Sequence, residues 1–136
     1  MKIYKIIAFI GLSIIFLIAC AGETVAPATG SLDIKVTIGP LCPVEPCNKT
    51  AAEFAAIYEA YSFVISNPNT KAVILEQKLS YNGTNGAFKG NNIAVGDYEL
   101  NINPSNIFTK KGFPKTVKIE KDKVTSLIVD IDTGIR

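Results

Sequence analysis

Histidine and tryptophan are absent from the 136 residues, methionine occurs once and cysteine three times. Without imidazole the chain holds no Ser-His-Asp or Cys-His catalytic set and no His-ligated zinc or iron site. Most familiar hydrolase chemistry is thereby excluded, and no metal or other cofactor is expected. Charge of one sign is lacking too. Lys+Arg number 14 against 12 for Asp+Glu, and two of the bases, Lys2 and Lys5, fall within residues 1–19, so the remainder is balanced. A neutral domain lacks the basic surface that nucleic-acid binding needs, and no nucleic-acid partner is predicted. Long apolar runs are scarce: the principal one, residues 6–18, is interrupted by Gly11 and Ser13. It falls short of the roughly twenty residues a membrane-crossing helix requires.

That run, preceded by Lys2 and Lys5, has the basic start and apolar centre of an export signal. It ends in Leu17-Ile18-Ala19-Cys20, which resembles a bacterial lipobox. The resemblance implies diacylglyceryl transfer to the Cys20 sulfur, cleavage after Ala19 and a membrane partner reached through the lipid. Two or three acyl chains make a stable anchor, since each buried CH₂ contributes about 0.8 kcal/mol. The alternatives are an ordinary signal peptide with a stray cysteine, or a signal anchor. Ala21 rather than an aspartate follows the cysteine, which implies outer-membrane sorting where the cell has two membranes. Residues 20–31 are small and polar, with Gly22, Pro27 and Gly30, and read as a flexible tether to a single domain spanning 32–136.

Within that domain the dominant period is two. Leu32, Ile34, Val36 and Ile38 alternate with polar residues, and the pattern returns at Tyr61-Phe63-Ile65, at Val73 to Tyr81, at Ala87 to Lys89, at Tyr98-Leu100-Ile102, at Val117-Ile119 and at Leu127-Val129-Ile131. The separators Asn67-Pro68-Asn69, Asn82-Gly83, Gly96-Asp97 and Lys121-Asp122-Lys123 carry turn chemistry. Seven short strands in an all-β antiparallel sandwich follow. One segment departs from the period. Thr50 and Glu53 have capping-box spacing, and Phe54, Ile57, Tyr58 and Tyr61 recur at helical intervals, predicting a short helix over Ala51–Glu59 between the first and second strands. Its aromatic stripe is expected to pack on an open end of the sandwich, with ligand contact the lesser reading.

With Cys20 assigned to lipid, Cys42 and Cys47 remain, five apart around Pro43 and Pro46 in an exported chain. They are read as a disulfide. A redox pair and a metal site are the alternatives. The first lacks a helix start just after Cys42 to lower its pKa, and the second lacks further soft ligands.

The run from Gly39 through Pro40-Leu41-Cys42-Pro43-Val44-Glu45-Pro46 to Cys47, the strand entry Gly96-Asp97-Tyr98 and the ending Asp130-Ile131-Asp132-Thr133-Gly134-Ile135-Arg136 together resemble, over Gly30 to Arg136, exported bacterial domains of the carboxypeptidase regulatory-like, prealbumin-like group. The resemblance implies a seven-stranded Greek-key sandwich without catalytic activity, and it makes Tyr98 a candidate tyrosine corner whose hydroxyl bonds nearby backbone. The helical stretch from Thr50 to Tyr61 departs from the commoner members. Hydroxyisourate hydrolases share the fold but depend on histidines and a C-terminal tetrapeptide that this sequence lacks.

Asp132-Thr133-Gly134 matches the aspartic-protease signature, yet it stands four residues from the end, without the strands that normally follow. Asp130 and Asp132 share a strand face, where solvation is favoured over binding a cation. Lys110, Lys111, Lys115, Lys118, Lys121 and Lys123 read as a solvated strand edge, or as a contact for anionic headgroups or polysaccharide. The predicted protein is a noncatalytic, lipid-anchored module of the bacterial envelope. Its candidate contact surface for an envelope protein or glycan is Val44, Glu45, Phe54 and Tyr58, and its oligomeric state is open. The competing expectation is an envelope hydrolase or hydrolase accessory using an unconventional carboxylate pair.

Overall fold

Alternation along the first strand sends Leu32, Ile34, Val36 and Ile38 to one side, and all four are buried, at most 4% exposed. They form the spine of the core in the computed structural model, which describes residues 26–44, 46–106 and 109–135. Residues 1–19, Cys20 and Glu45 lie outside the described residues. β1 (Thr29–Gly39) is followed by α1 (Ala51–Glu59), β2 (Ser62–Ser66), β3 (Val73–Lys78), β4 (Ser80–Tyr81), β5 (Gly86–Ala94), β6 (Gly96–Asn103), β7 (Lys115–Ile119) and β8 (Val124–Asp132).

Two four-stranded sheets result, ordered β4-β5-β1-β8 and β3-β2-β6-β7. The all-β sandwich and the helix between the first two strands are as expected. Three details differ. The segment from Val73 to Tyr81, expected as one strand, changes sheets at Leu79: Lys78 pairs with Ser62, whereas Ser80 pairs with Ala87. Leu79 itself is 1% exposed and donates its N–H to the Tyr61 carbonyl, so the crossing is made by a core residue. That split makes eight strand segments from seven. β8 runs parallel to β1, from Ser31↔Val124 to Gly39↔Asp132, while every other pairing is antiparallel. Finally, β1 begins at Thr29, so the last three residues assigned to the tether belong to the sheet. Gly30 lets the β7–β8 turn close over them, since a Cβ there would lie 2.2 Å from the Glu120 carbonyl oxygen.

β5 is far longer than the short piece around Ala87 to Lys89. Asn91 and Asn92 are both exposed, Asn92 has φ 55°, and the register against β1 shifts between Gly30 and Leu32. This is a bulge: one extra residue hides the period of two from a sequence reading. The sheets join through apolar residues of both inner faces, with Phe63 of β2 meeting Phe88 of β5 edge-on at 5.7 Å between ring centres. Tyr98 donates its hydroxyl to the Ala94 carbonyl at 2.8 Å, tying β6 to the end of β5 as the corner reading anticipated.

The pairings define two ends. At the Thr29 end lie the β2–β3 loop, Val95 between β5 and β6, and the β7–β8 turn. At the Gly39 end lie the cysteine loop, α1, the β4–β5 turn and Thr133.

Candidate contact surface

Past Gly39 the chain enters Pro40 and Leu41 and is closed by the Cys42–Cys47 disulfide, with Cα atoms 5.5 Å apart. Three residues separate Cys47 from the start of helix α1 at Ala51. Thr50 adopts an extended cap conformation, its Oγ1 accepting from Glu53 N at 3.3 Å, and Glu53 Oε2 accepts from Thr50 N at 2.7 Å and from the Thr50 hydroxyl at 2.8 Å. Those bonds hold the Glu53 carboxyl below the usual carboxylate range, the Thr50 amide first and its hydroxyl second. The capping box thus fixes the helix entry directly after the disulfide loop.

Between loop and helix runs an open groove of about 520 Å³, lined by Gly39, Pro40, Leu41, Pro46, Cys47 and Phe54 above buried Ile38. The side chains that line it are apolar, and prolines and the disulfide hold them. Val44, at the loop tip, is 73% exposed.

The structure separates the four expected contact residues. Val44 is presented to solvent and Phe54 is half-buried at the groove wall. Tyr58 packs on the sandwich as the helix stripe was expected to, and its place on the contact surface is corrected: at 3% exposure it belongs to the core, because its ring fills the space above Gly86 and its hydroxyl accepts from Ile38 N at 3.3 Å. Glu45 lies outside the described residues. Tyr81 completes the arrangement, stacking on Tyr58 at 5.0 Å and on Phe54 at 6.2 Å. Nothing in sequence spacing separates Tyr81 from an ordinary strand residue, so its part in holding the helix was not legible there.

Other candidates disperse. Asp130 and Asp132 are exposed on β8, and Asp132 Oδ1 accepts from Gly134 N at 2.8 Å in a local turn. Thr133 bonds Gly39 and Pro40 carbonyls through its amide and hydroxyl, so the Asp-Thr-Gly run fastens the chain to β1. A second depression, of about 300 Å³, has Glu76 as its one acid among the described residues; Glu76 Oε1 accepts from Ser62 Oγ at 3.0 Å and Asn103 Nδ2 at 3.4 Å. A single carboxylate engaged in this way does not assemble the pair that glycosidic hydrolysis requires. No cluster of three or more metal-ligating side chains occurs among the described residues. The six lysines do not form one patch. Lys110 and Lys111 sit at the Gly39 end, Lys121 and Lys123 at the Thr29 end, and Lys115 and Lys118 between them on edge strand β7, where lysine discourages edge pairing.

No protein-family model matches the chain, and none of the curated proteins matches it. Among solved structures it is similar to the minor pilin of Streptococcus agalactiae, with 18% identity, a TM-score of 0.51 and coverage of 78% of this chain and 45% of that one. The major pilin subunit of Bacillus cereus aligns over 77% of this chain and 30% of its own, at 19% identity and TM-score 0.44. The TIE protein of Bacillus anthracis aligns over 77% and 16%, at 14% identity and TM-score 0.44. The chain spans less than half the length of each. The likeness to the minor pilin is one of fold: a bacterial β-sandwich domain.

Proposed function

We propose that this chain is a noncatalytic module of the bacterial cell envelope, held at a membrane by lipid on Cys20, whose Gly39 end contacts another envelope protein or glycan. The observation that carries the reading is the disulfide-closed loop, with Val44 exposed beside an apolar groove, at the end of the sandwich opposite the tether. A loop stiffened by Pro43, Pro46 and a covalent bridge loses little conformational freedom on binding. Loops at the end of a rigid sandwich are where such modules carry their contacts. The fold shared with a bacterial pilin supports a surface module over an enzyme.

The test is cross-linking on cells that make the full chain, followed by mass spectrometry of captured components, with Val44→Asp compared against the parent. Val44 is so exposed that the fold tolerates aspartate, and capture of one envelope component should fall. Undiminished capture removes the loop from the contact surface, and hydrolysis of an envelope substrate by the purified protein overturns the noncatalytic reading.

A further inference from the structure

The large apolar side chains left in solvent are unevenly placed. Of six among the described residues, Val44 and Ile128, 73% and 72% exposed, lie at the cysteine loop and midway along β8, while Val73 at 59%, Ile74 at 49%, Val95 at 46% and Val124 at 63% lie toward the Thr29 end. The pairings Ser66↔Val73, Ser66↔Glu99 and Ser31↔Val124 put them there, and Val95 N donates to the Ala28 carbonyl at 3.0 Å. The chain therefore leaves the sandwich directly beside Val95.

We propose that this end rests against the lipid headgroup layer of the membrane that holds Cys20, through Val73, Val95 and Val124, so that the disulfide loop faces away from the bilayer. The inference rests on the lipid-anchor reading, and chain length carries it. Eight residues, 21–28, separate Cys20 from Thr29. Eight residues of any chain reach roughly 30 Å when fully stretched, and a random coil of that length spans about 16 Å. β1 alone, Thr29–Gly39, is roughly 33 Å long, and the cysteine loop extends beyond it. An inverted domain, with Val44 on the membrane, would need the tether drawn past its limit.

Charge does not compete with this placement. Lys71 is paired with Glu99 and Lys123 with Glu120, both at 2.8 Å, and Lys121 is followed by Asp122. The end is close to neutral, so contact comes from the valines and requires neither anionic lipid nor low salt.

The chain has no tryptophan, so one introduced residue reports alone. Full-length protein purified with its native N-terminus is reconstituted into phosphatidylcholine vesicles carrying brominated acyl chains, as Val95→Trp, Val124→Trp or Val44→Trp. Emission from the first two should be blue-shifted and lose most of its intensity to bromine, at low and at high salt alike, while Val44→Trp emission stays unquenched. Equal quenching at both ends, or quenching at Val44 alone, overturns the orientation. Blue-shifted but unquenched emission at Val95 and Val124 means that the tether or a second copy covers them, which also overturns it. Mass spectrometry of the same preparations separates the two readings: lipid on Cys20 without quenching sinks the orientation alone, whereas an unmodified terminus removes both.

Discussion

Tyr58 occupies the space that Gly86 leaves empty: a Cβ on Gly86 would lie 2.5 Å from the Tyr58 ring. Gly86 is the first residue of β5 and pairs with Val36, and two residues further along β1 the Ile38 amide donates to the Tyr58 hydroxyl instead of to a strand. The helix thus continues the sheet where β5 has not yet begun. Burial of the ring and satisfaction of a core amide are one arrangement.

Both halves of that arrangement can be measured. Tyr58→Phe keeps the ring and orphans the Ile38 amide, which should cost about 1–3 kcal/mol in a denaturant titration. Gly86→Ala should cost a similar amount, about 1–3 kcal/mol, by forcing the ring off its site. Tyr58→Leu combined with Gly86→Ala should cost less than the two changes summed, because the smaller side chain vacates the contested space. Strict additivity would mean that the two residues are not in conflict.

The capping box carries a pH dependence. The Glu53 carboxyl titrates below its ordinary value because Thr50 donates to its ionised form, and Glu120 titrates low because Lys123 bonds and attracts it. A depressed carboxyl stabilises the fold above its ordinary value and loses that contribution as pH falls through the folded one, so both act on the acid limb. Lys123, raised by Glu120, acts in the opposite sense on the alkaline limb, its contribution fading as pH rises through its folded value. Thr50→Ala should cost about 1 kcal/mol near neutral pH. Glu53→Gln keeps an acceptor for the Thr50 amide and should flatten part of the acid loss, leaving the Glu120 share. An acid limb unchanged in Glu53→Gln would refute the assignment.

The residues that were legible are those whose determinants are local. Leu32 to Ile38 is read from alternation alone, and the helix limits from Thr50 and Glu53, because a strand face and a capped turn are written within a few residues. Asn91 and Asn92 hide β5 because an inserted residue resets the period. The sheet change at Leu79 and the parallel pairing of β1 with β8 depend on partners far along the chain, which no local pattern encodes. At the site, the paired cysteines were legible from their number and setting. The packing of Tyr58 on the sandwich was legible from its place in the helix stripe, but its place on a contact surface was not tenable, because its depth of burial depends on a glycine twenty-eight positions away.

Removing the bridge tests how the contact surface is built. The Cys42–Cys47 ring spans a separation of five, and in the chain-entropy model a loop so small contributes about 2 kcal/mol. Cys42→Ser with Cys47→Ser should therefore lower stability by about 1–3 kcal/mol while the strand signal in far-ultraviolet circular dichroism persists. Non-reducing peptide maps of exported protein should contain the linked pair. Global unfolding of the double variant would show that the bridge does more than stiffen one loop.

The anchor is the expectation on which location depends. Residues 6–18 fall short of the length that spans the roughly 30 Å hydrocarbon core as a helix, so the proposed retention at a membrane calls for another anchor. No helix among the described residues is long and apolar enough to supply it. The proposed lipid on Cys20 would supply it, since two or more acyl chains bind where a single chain would exchange. Mass spectrometry of the native N-terminal peptide should find Cys20 first and carrying a diacylglyceryl group, and Cys20→Ser should abolish both the modification and the cleavage after Ala19. A mature terminus at another residue, or residues 1–19 retained on the native protein, would leave a secreted or signal-anchored chain in place of a lipoprotein.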